Sequence, residues 1–231
     1  MKRIALAVLS LPLLSLAQEY RAFGGVWIGQ TNYEDGETPS LNVGSFFLAR
    51  TPFLSNLHFG YGVSVNTNVA LASAAGFDNA GDLVTVNMTG VAVHLPFEVN
   101  LAYVVGGSKL RGWAGGGLNV SIAQATVNMS YTNLSQGVSC AASATGQTEF
   151  TPGFQLFGGG EYIFGELPTI GGVWGVFAQA KYMYAKKVDM RISGSVECVD
   201  TLGNSVTRSL DESIELKLSN TSYMVGLSYH F

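Results

Sequence analysis

Three histidines and a few serines and carboxylates are the residues of this sequence that could act in catalysis. The histidines are His58, His94 and His230. A Ser–His–acid hydrolase would use some of Ser64, Ser228, Glu98 and Glu161. No G-x-S-x-G motif places any serine on a nucleophile elbow. Polar packing inside the fold is the simpler interpretation, and we predict no catalytic residue.

The first residues predict export. Lys2 and Arg3 form a basic start, an apolar run follows, and small residues lead up to Ala17. This order is typical of a secretory signal peptide, and the run is too short for a helix across about 30 Å of hydrocarbon. We expect residues 1–17 to be a signal peptide and residues 18–231 to be one mature domain.

The composition is poor in charge for a protein of this size. Only 12% of its residues are charged and 47% are hydrophobic, whereas soluble domains carry about 25% charged residues. The net charge is −4, which indicates no nucleic-acid partner. No stretch of about 18 apolar residues follows residue 17, so we predict no helical membrane span. The many apolar residues must therefore be accommodated by something other than a helical membrane span.

Residues 57–69, LHFGYGVSVNTNV, alternate between apolar residues and glycine or polar residues. A period of two is typical of a β-strand with two different faces. The pattern recurs and predicts eight strands, at about 20–30, 41–50, 57–69, 83–105, 111–127, 149–164, 174–191 and 214–231. A turn near Gly90 inside the fourth segment would make ten strands instead.

The connections between these strands alternate in length. Three are short, at 51–56, 106–110 and 165–173, whereas those at 31–40, 70–82, 128–147 and 193–213 are long and polar. Short turns on one side and long loops on the other are typical of an outer-membrane barrel. A soluble β-sandwich or lipocalin-like barrel is the alternative. Its water-facing side would carry many charges, whereas the second face here is mostly Gly, Asn, Ser and Gln, which suits a narrow lumen.

Three stretches carry a resemblance to a known family. They are the terminal GLSYHF, VHLPFEVNLAYVV at 93–105 and GWAGGGLNVSIA at 112–123. They resemble the small outer-membrane barrels of Gram-negative bacteria, the OmpA/OmpX-like group. In the terminal stretch, Gly226, Tyr229 and Phe231 are similar to the signal that the barrel-assembly machinery reads, although Met224 stands where a polar residue is usual.

The resemblance implies an all-β, eight-stranded antiparallel transmembrane barrel in the outer membrane, with both termini periplasmic. It implies outer-membrane lipids and the assembly machinery as partners, a monomeric state, and no cofactor or enzymatic activity. Envelope integrity or binding of an extracellular ligand or host surface through the loops is the expected role. A narrow porin-like channel for small solutes is the alternative, followed by an outer-membrane lipid hydrolase.

Cys140 and Cys198 are the only cysteines, and each falls in one of the last two predicted loops. Because an exported chain meets oxidising compartments, we predict a disulfide between them. Free thiols or an intermolecular bridge are the alternatives. Two cysteines without a neighbouring histidine make a poor metal site, and no metal is predicted.

Four charged residues fall on predicted lumen positions: Arg21, Glu98, Glu161 and Lys181. A charge inside a narrow barrel must be paired or hydrated. We expect an ion-pair network that fills the lumen, because eight strands leave an interior just wide enough for side chains. A proton or ion relay along the same residues is the alternative.

Overall fold

The computed structural model describes residues 22–34, 39–54, 56–77, 81–166 and 172–231, and this part of the chain is all β. Its eleven strands are β1 Ala22–Tyr33, β2 Ser40–Arg50, β3 Leu57–Phe77, β4 Leu83–Gly106, β5 Leu110–Asn133, β6 Val138–Thr148, β7 Thr151–Glu166, β8 Val173–Ala185, β9 Val188–Val199, β10 Ser205–Leu216 and β11 Asn220–His230. Within these ranges, no helix is long and apolar enough to cross a membrane.

Eight of the strands close an antiparallel barrel in the order β1, β2, β3, β4, β5, β7, β8, β11. The closing pair is β1 with β11, from Phe23 opposite His230 to Tyr33 opposite Asn220. The predicted eight-stranded barrel is therefore confirmed. β4 is continuous through Gly90, which excludes the turn that would have made ten strands.

The strand register sets the width of the barrel. A row of paired residues that starts at Phe23 and passes once around the barrel returns to β1 at Tyr33, ten residues further along. With eight strands, this stagger corresponds to a tilt of about 40° and a backbone radius of about 8 Å. Side chains from opposite walls therefore meet across the interior.

The barrel has two different ends. The turn end carries the short connections after β2, β4 and β7, together with Ala22 and Phe231, whose backbone amide donates to the Ala22 carbonyl at 3.0 Å. At the sheet end, β6, β9 and β10 continue the wall upwards with the far parts of β3, β4 and β5. They form an open six-stranded outer sheet in the order β3, β4, β5, β6, β9, β10.

The outer sheet corrects the prediction of three long loops at 70–82, 128–147 and 193–213. Most of those residues are strand, with turns at 134–137 and 200–204. The sheet stays open because β1 ends at Tyr33 and β2 begins at Ser40. Among the described residues, the longer strands therefore have no partners from β1 or β2 at this height. Strand structure is interrupted at 149–150, 186–187 and 217–219, where the chain passes between the barrel wall and the outer sheet.

The two faces of the wall follow the predicted alternation. Apolar side chains project outwards along every barrel strand, such as Leu118, which is 71% exposed, and Val225, which is 58% exposed. Glycines and polar residues line much of the interior. A large aromatic cluster also lies in the interior, which the sequence pattern did not indicate.

Candidate functional site

The turn end of the lumen brings together four side chains from three strands. His230 Nε2 lies 3.0 Å from Glu161 Oε2, and the Ser228 hydroxyl donates to the same oxygen at 2.8 Å. Arg111 donates to His230 Nδ1 at 3.1 Å. Because Nδ1 accepts this bond, the neutral ring carries its proton on Nε2 and donates to Glu161. Arg111 was not predicted at this site, since its partners come from distant strands.

This cluster contains a serine, a histidine and a carboxylate in the wrong order for a hydrolase. In a catalytic triad the histidine lies between the serine and the acid, whereas here Glu161 lies between Ser228 and His230. His58 is also separate, with its Nδ1 3.4 Å from the Asn56 carbonyl oxygen. Among the described residues, no group of three or more His, Cys, Asp or Glu could hold a metal ion.

An aromatic plug fills the lumen above this cluster. It consists of Phe23, Trp27, Phe46, Trp113 and Phe177, with Met224 and Phe157 packed beside them. The ring centroids of Phe23 and Phe46 lie 5.8 Å apart, those of Phe46 and Phe177 5.3 Å, and those of Trp113 and Phe177 6.0 Å. These distances are typical of packed aromatic pairs, so the rings close the section that they occupy.

The plug was missed because its rings come from several strands and lie among glycines on the inward face. Gly226 is one of these glycines. A Cβ atom there would lie 2.1 Å from the Val26 carbonyl oxygen and 2.7 Å from the Phe177 ring. Gly226, which we predicted as part of an assembly signal, thus also leaves room for the plug. A glycine opposite an aromatic residue on the inward face is the signal that could have indicated it.

A buried ion pair between Glu98 and Lys181 follows above the plug. Gln155 Nε2 donates to Glu98 Oε2 at 3.0 Å and to Asn100 Oδ1 at 2.6 Å. The Lys181 ammonium also lies 5.9 Å from the centre of the Trp27 ring. The structure therefore pairs two of the four predicted lumen charges. It places Glu161 in the separate cluster at the turn end, and Arg21 lies outside the described residues, as does the predicted signal peptide.

A hydrogen-bonded network continues towards the sheet end. Trp27 Nε1 donates to Asn42 Oδ1 at 2.9 Å, and Asn42 donates to the Thr31 hydroxyl at 3.0 Å. Thr31 donates to Asn66 Oδ1 at 2.9 Å and lies 2.7 Å from the Ser222 hydroxyl. All of these side chains are buried. The plug, the ion pair and the network together block the middle of the lumen.

A cavity of about 270 Å³ lies at the sheet end, above the network. We call it the outer cavity. Polar side chains of the barrel rim contribute Tyr33, Ser40, Asn66 and His94, and apolar residues of β5, β9 and the 214–218 segment contribute Ala123, Ala125, Met190, Leu216 and Leu218. Its walls are mainly apolar. No sequence motif predicted it, because its lining is assembled from seven separate segments.

The outer sheet is cross-linked by the predicted disulfide. Cys140 on β6 lies directly opposite Cys198 on β9, and the two form a disulfide bond. They lie on strands, whereas we had predicted loops. On the same sheet, Arg191 of β9 donates two bonds to Asp211 of β10, at 2.9 and 2.6 Å. This hydrogen-bonded pairing holds the pKa of the exposed Asp211 carboxyl below its ordinary value.

Aromatic residues ring the outside of the barrel near both ends. At the turn end, Tyr229 contacts Trp174 at 5.0 Å and Phe231 at 4.7 Å between ring centroids. At the sheet end, Phe154 stacks on Tyr184 at 5.0 Å. Tyr229 and Phe231, two residues of the predicted assembly signal, therefore face outwards, whereas Gly226 faces the lumen.

No protein-family model matches the sequence, and no curated protein sequence matches it. Three similar solved structures are outer-membrane proteins. A major outer membrane protein from Thermus thermophilus is 14% identical, with 91% of this chain and 99% of that chain covered and a TM-score of 0.41.

The second is Ail, the attachment invasion locus protein of Yersinia pestis, at 11% identity, with 92% of this chain and 97% of that chain covered and a TM-score of 0.39. The third is OprG from Pseudomonas aeruginosa, at 13% identity, with 92% and 94% covered and a TM-score of 0.41. Likeness at this level identifies neither a family nor a function.

Proposed function

We propose that the chain is an integral outer-membrane protein with a closed lumen, which works through its outer sheet rather than by catalysis. The observation that carries this proposal is the outward face of the barrel. Large apolar side chains are exposed on every wall strand, whereas soluble monomers rarely expose contiguous apolar patches larger than a few hundred Å². Lipid chains would cover this surface and so avoid the free-energy cost of exposing it to water.

The height of the apolar face fits a bilayer. About nine to eleven tilted residues cross the hydrocarbon, and β1, β2 and β11 have 12, 11 and 11 residues. The aromatic rings near both ends match the headgroup regions of such a barrel. In this arrangement the turn end is periplasmic and the outer sheet projects outside the cell, in keeping with the OmpA/OmpX-like resemblance of the sequence.

The outer sheet is the surface that we propose for contact with an extracellular ligand or a host surface. Among the described strands β10 pairs only with β9, so one of its edges is open there. Arg208, Asp211, Glu212 and Glu215 lie along this edge strand, and charges of this kind suppress uncontrolled strand addition. The disulfide and the Arg191–Asp211 pair hold the sheet in one shape, which lowers the entropy cost of binding.

Epitope insertion in cells tests this topology. A short epitope inserted in the turn at 200–204 should bind antibody on intact cells. The same epitope in the turn at 107–109, the matched control, should bind only after the outer membrane is permeabilised. Equal labelling of both sites on intact cells, or of neither, would refute the proposed orientation.

A narrow channel for small solutes is the second function, and it makes the opposite prediction for conductance. Pure protein in planar bilayers should give no stable ion conductance, because the plug and the Glu98–Lys181 pair occupy the lumen. Stable conductance by the unmodified protein would favour the channel and refute the closed lumen.

A further inference from the structure

The outward face of the barrel wall changes from apolar to polar along a single strand. On β5 this face runs through Leu118 and Ile122 and then continues with Gln124 and Thr126. At the tilt of the barrel each residue adds about 2.6 Å of height. The apolar part, from Leu110 to Ile122, therefore spans about 31 Å, which is close to the thickness of the hydrocarbon core. In the membrane position proposed for the barrel, on which this inference rests, Gln124 lies where the lipid headgroups begin.

The polar face extends from β5 across the outer sheet, because residues that pair directly share one face of a sheet. Gln124 lies opposite Gln147 of β6, and Gln147 lies opposite Arg191 of β9. The other face of these strands carries apolar residues such as Ala144 and Met190, which are buried. The barrel wall thus turns its apolar side outwards, whereas the outer sheet turns its polar side outwards.

Two grooves lie on this polar face. The lower groove has a volume of about 410 Å³ and is lined by Gln124, Thr145, Gln147, Arg191, Ser193 and Asp211. The upper groove has a volume of about 450 Å³, and its lining includes Asn87, Thr89, Asn128, Ser130, Ser143 and Ser195. Hydroxyl and amide side chains both donate and accept hydrogen bonds, as the hydroxyl groups of sugars do.

The charges in the grooves favour a neutral ligand. In the lower groove Arg191 donates two hydrogen bonds to Asp211, so these two charges offset each other. In the upper groove the lining also includes Glu197, whose carboxylate would repel an anionic headgroup. The amides of Gln124 and Gln147 are exposed and can bind uncharged hydroxyl groups.

We propose that the lower groove binds the neutral sugar headgroup of a glycolipid in the outer leaflet that surrounds the barrel. The acyl chains of this lipid lie against the apolar wall below, and the side chains of Gln124, Thr145 and Gln147 hydrogen-bond the sugar hydroxyls. Because the lipid is held in the same leaflet, its local concentration reaches the millimolar range, and individually weak hydrogen bonds are sufficient. Ser130 of the upper groove lies about 16 Å above Gln124 at the same rise per residue, so only a longer sugar chain reaches it.

The test uses purified protein with methyl-labelled threonine in lipid nanodiscs of dioleoylphosphatidylcholine. The probe is digalactosyl dioleoylglycerol, added in increasing proportion. It should shift the methyl resonance of Thr145 in the lower groove saturably. The resonances of Thr89 in the upper groove and of Thr31 in the lumen should stay unchanged. Dioleoylphosphatidylglycerol, which has the same acyl chains and a charged headgroup without sugar, should not shift Thr145.

The soluble headgroup, digalactosylglycerol, distinguishes a membrane lipid from a free sugar as the source of the ligand. It offers the same hydroxyl groups but is not held at the membrane surface. At equal total concentration it should therefore bind at least about tenfold more weakly than the lipid. Equal binding of the two would show that the groove takes a soluble sugar and would overturn the proposal.

One variant and one matched control test the groove itself. Gln147→Leu removes an exposed amide of the lower groove and should weaken binding of the glycolipid severalfold. Asn128→Leu removes an exposed amide of the upper groove and should leave binding unchanged. No saturable shift of Thr145, an equal shift with phosphatidylglycerol, or unchanged binding in folded Gln147→Leu would each overturn the proposal. Epitope labelling tests the membrane topology independently, so the protein can pass that test and still fail this one.

Discussion

At the scale of single residues, the Glu98–Lys181 pair shows how the lumen holds charge. Both side chains are almost fully buried, at 4% and 3% exposure. Two ions in such a place are stable only when paired and hydrogen-bonded, and Gln155 and Asn100 supply further donors to Glu98. The stability of the barrel should therefore be sensitive to the loss of either charge.

Replacement of Lys181 by Met should destabilise the barrel strongly. Glu98 would remain buried without its counter-ion, and such losses cost about 3 to 5 kcal/mol. The double variant Lys181→Met, Glu98→Gln should recover much of this stability, because no charge remains. The free energy of unfolding in urea, measured in lipid vesicles, checks both expectations.

Lys187→Met is the matched control for this prediction. Lys187 forms an ion pair with Glu215, but both side chains are about half exposed, at 53% and 56%. Exposed pairs contribute no more than about 1 kcal/mol. A loss of equal size in Lys181→Met and Lys187→Met would show that burial does not control the energetics of the lumen pair.

At the scale of elements, the outer sheet is open and is held together in part by a disulfide bond, whereas the barrel is closed by strand pairing alone. Within the part of the chain that the structure describes, the β6–β9 ladder is the only strand pairing that joins β9 and β10 to the remainder of the sheet. The disulfide crosses this ladder. A covalent cross-link between strands that are far apart in sequence stabilises chiefly by restricting the unfolded chain.

The double variant Cys140→Ser, Cys198→Ser should therefore loosen the β9–β10 hairpin and leave the barrel folded. A closed loop of 58 residues contributes about 4 kcal/mol in the chain-entropy view. We expect trypsin cleavage after the exposed Arg208 to accelerate at least tenfold. The heat-modifiable gel mobility of the barrel should not change.

Ser143 and Ser195 provide a control in the same ladder, since they also lie directly opposite each other on β6 and β9. Their double replacement by Ala removes two side-chain hydroxyls without breaking a covalent link. Its cleavage rate should equal that of the unmodified protein. If loss of the disulfide accelerates cleavage no more than this control does, the proposed role of the disulfide in restraining the β9–β10 hairpin is refuted.

At the scale of the whole molecule, closure of the barrel requires that the last strand pair with the first. β11 pairs with β1 along its full length and closes the wall. We predicted that Gly226, Tyr229 and Phe231 form the address read by the assembly machinery. Phe231 lies just beyond β11, with its ring 48% exposed, so its side chain is available for recognition.

Deletion of Phe231 should lower the outer-membrane level of the protein severalfold, because the aromatic end of the proposed assembly signal is lost. Quantitative blotting of outer-membrane fractions measures this. Phe231→Ala, which retains the amide that donates to Ala22, should show most of the defect. Refolding of either variant into detergent should proceed normally, which separates recognition from stability.

Phe164→Ala is the matched control, because Phe164 is an outward ring at the same end with 46% exposure. Its outer-membrane level should stay close to that of the unmodified protein. Unchanged levels after Phe231 deletion, or an equal loss in Phe164→Ala, would contradict the assembly role of the chain end.

Much of the barrel could be predicted from the sequence because the relevant signal is local. The outward positions of Phe97 and Val99 follow from alternation within one strand. The outer sheet could not be predicted in the same way. The residues of β6 are small or polar on both faces, such as Ser143 on one face and Ala144 on the other, so the sequence of β6 is equally compatible with a loop.

The sequence by itself determined the alternation, the number of barrel strands and the face that each strand turns outwards, since these depend on neighbouring residues. The tertiary structure alone decided which side chains meet across the lumen. The Phe23–Trp113 contact, the Glu161–His230 pair and the outer cavity at His94 each join residues from distant strands. Such contacts depend on barrel stagger and closure, which arise only when all eight strands have paired.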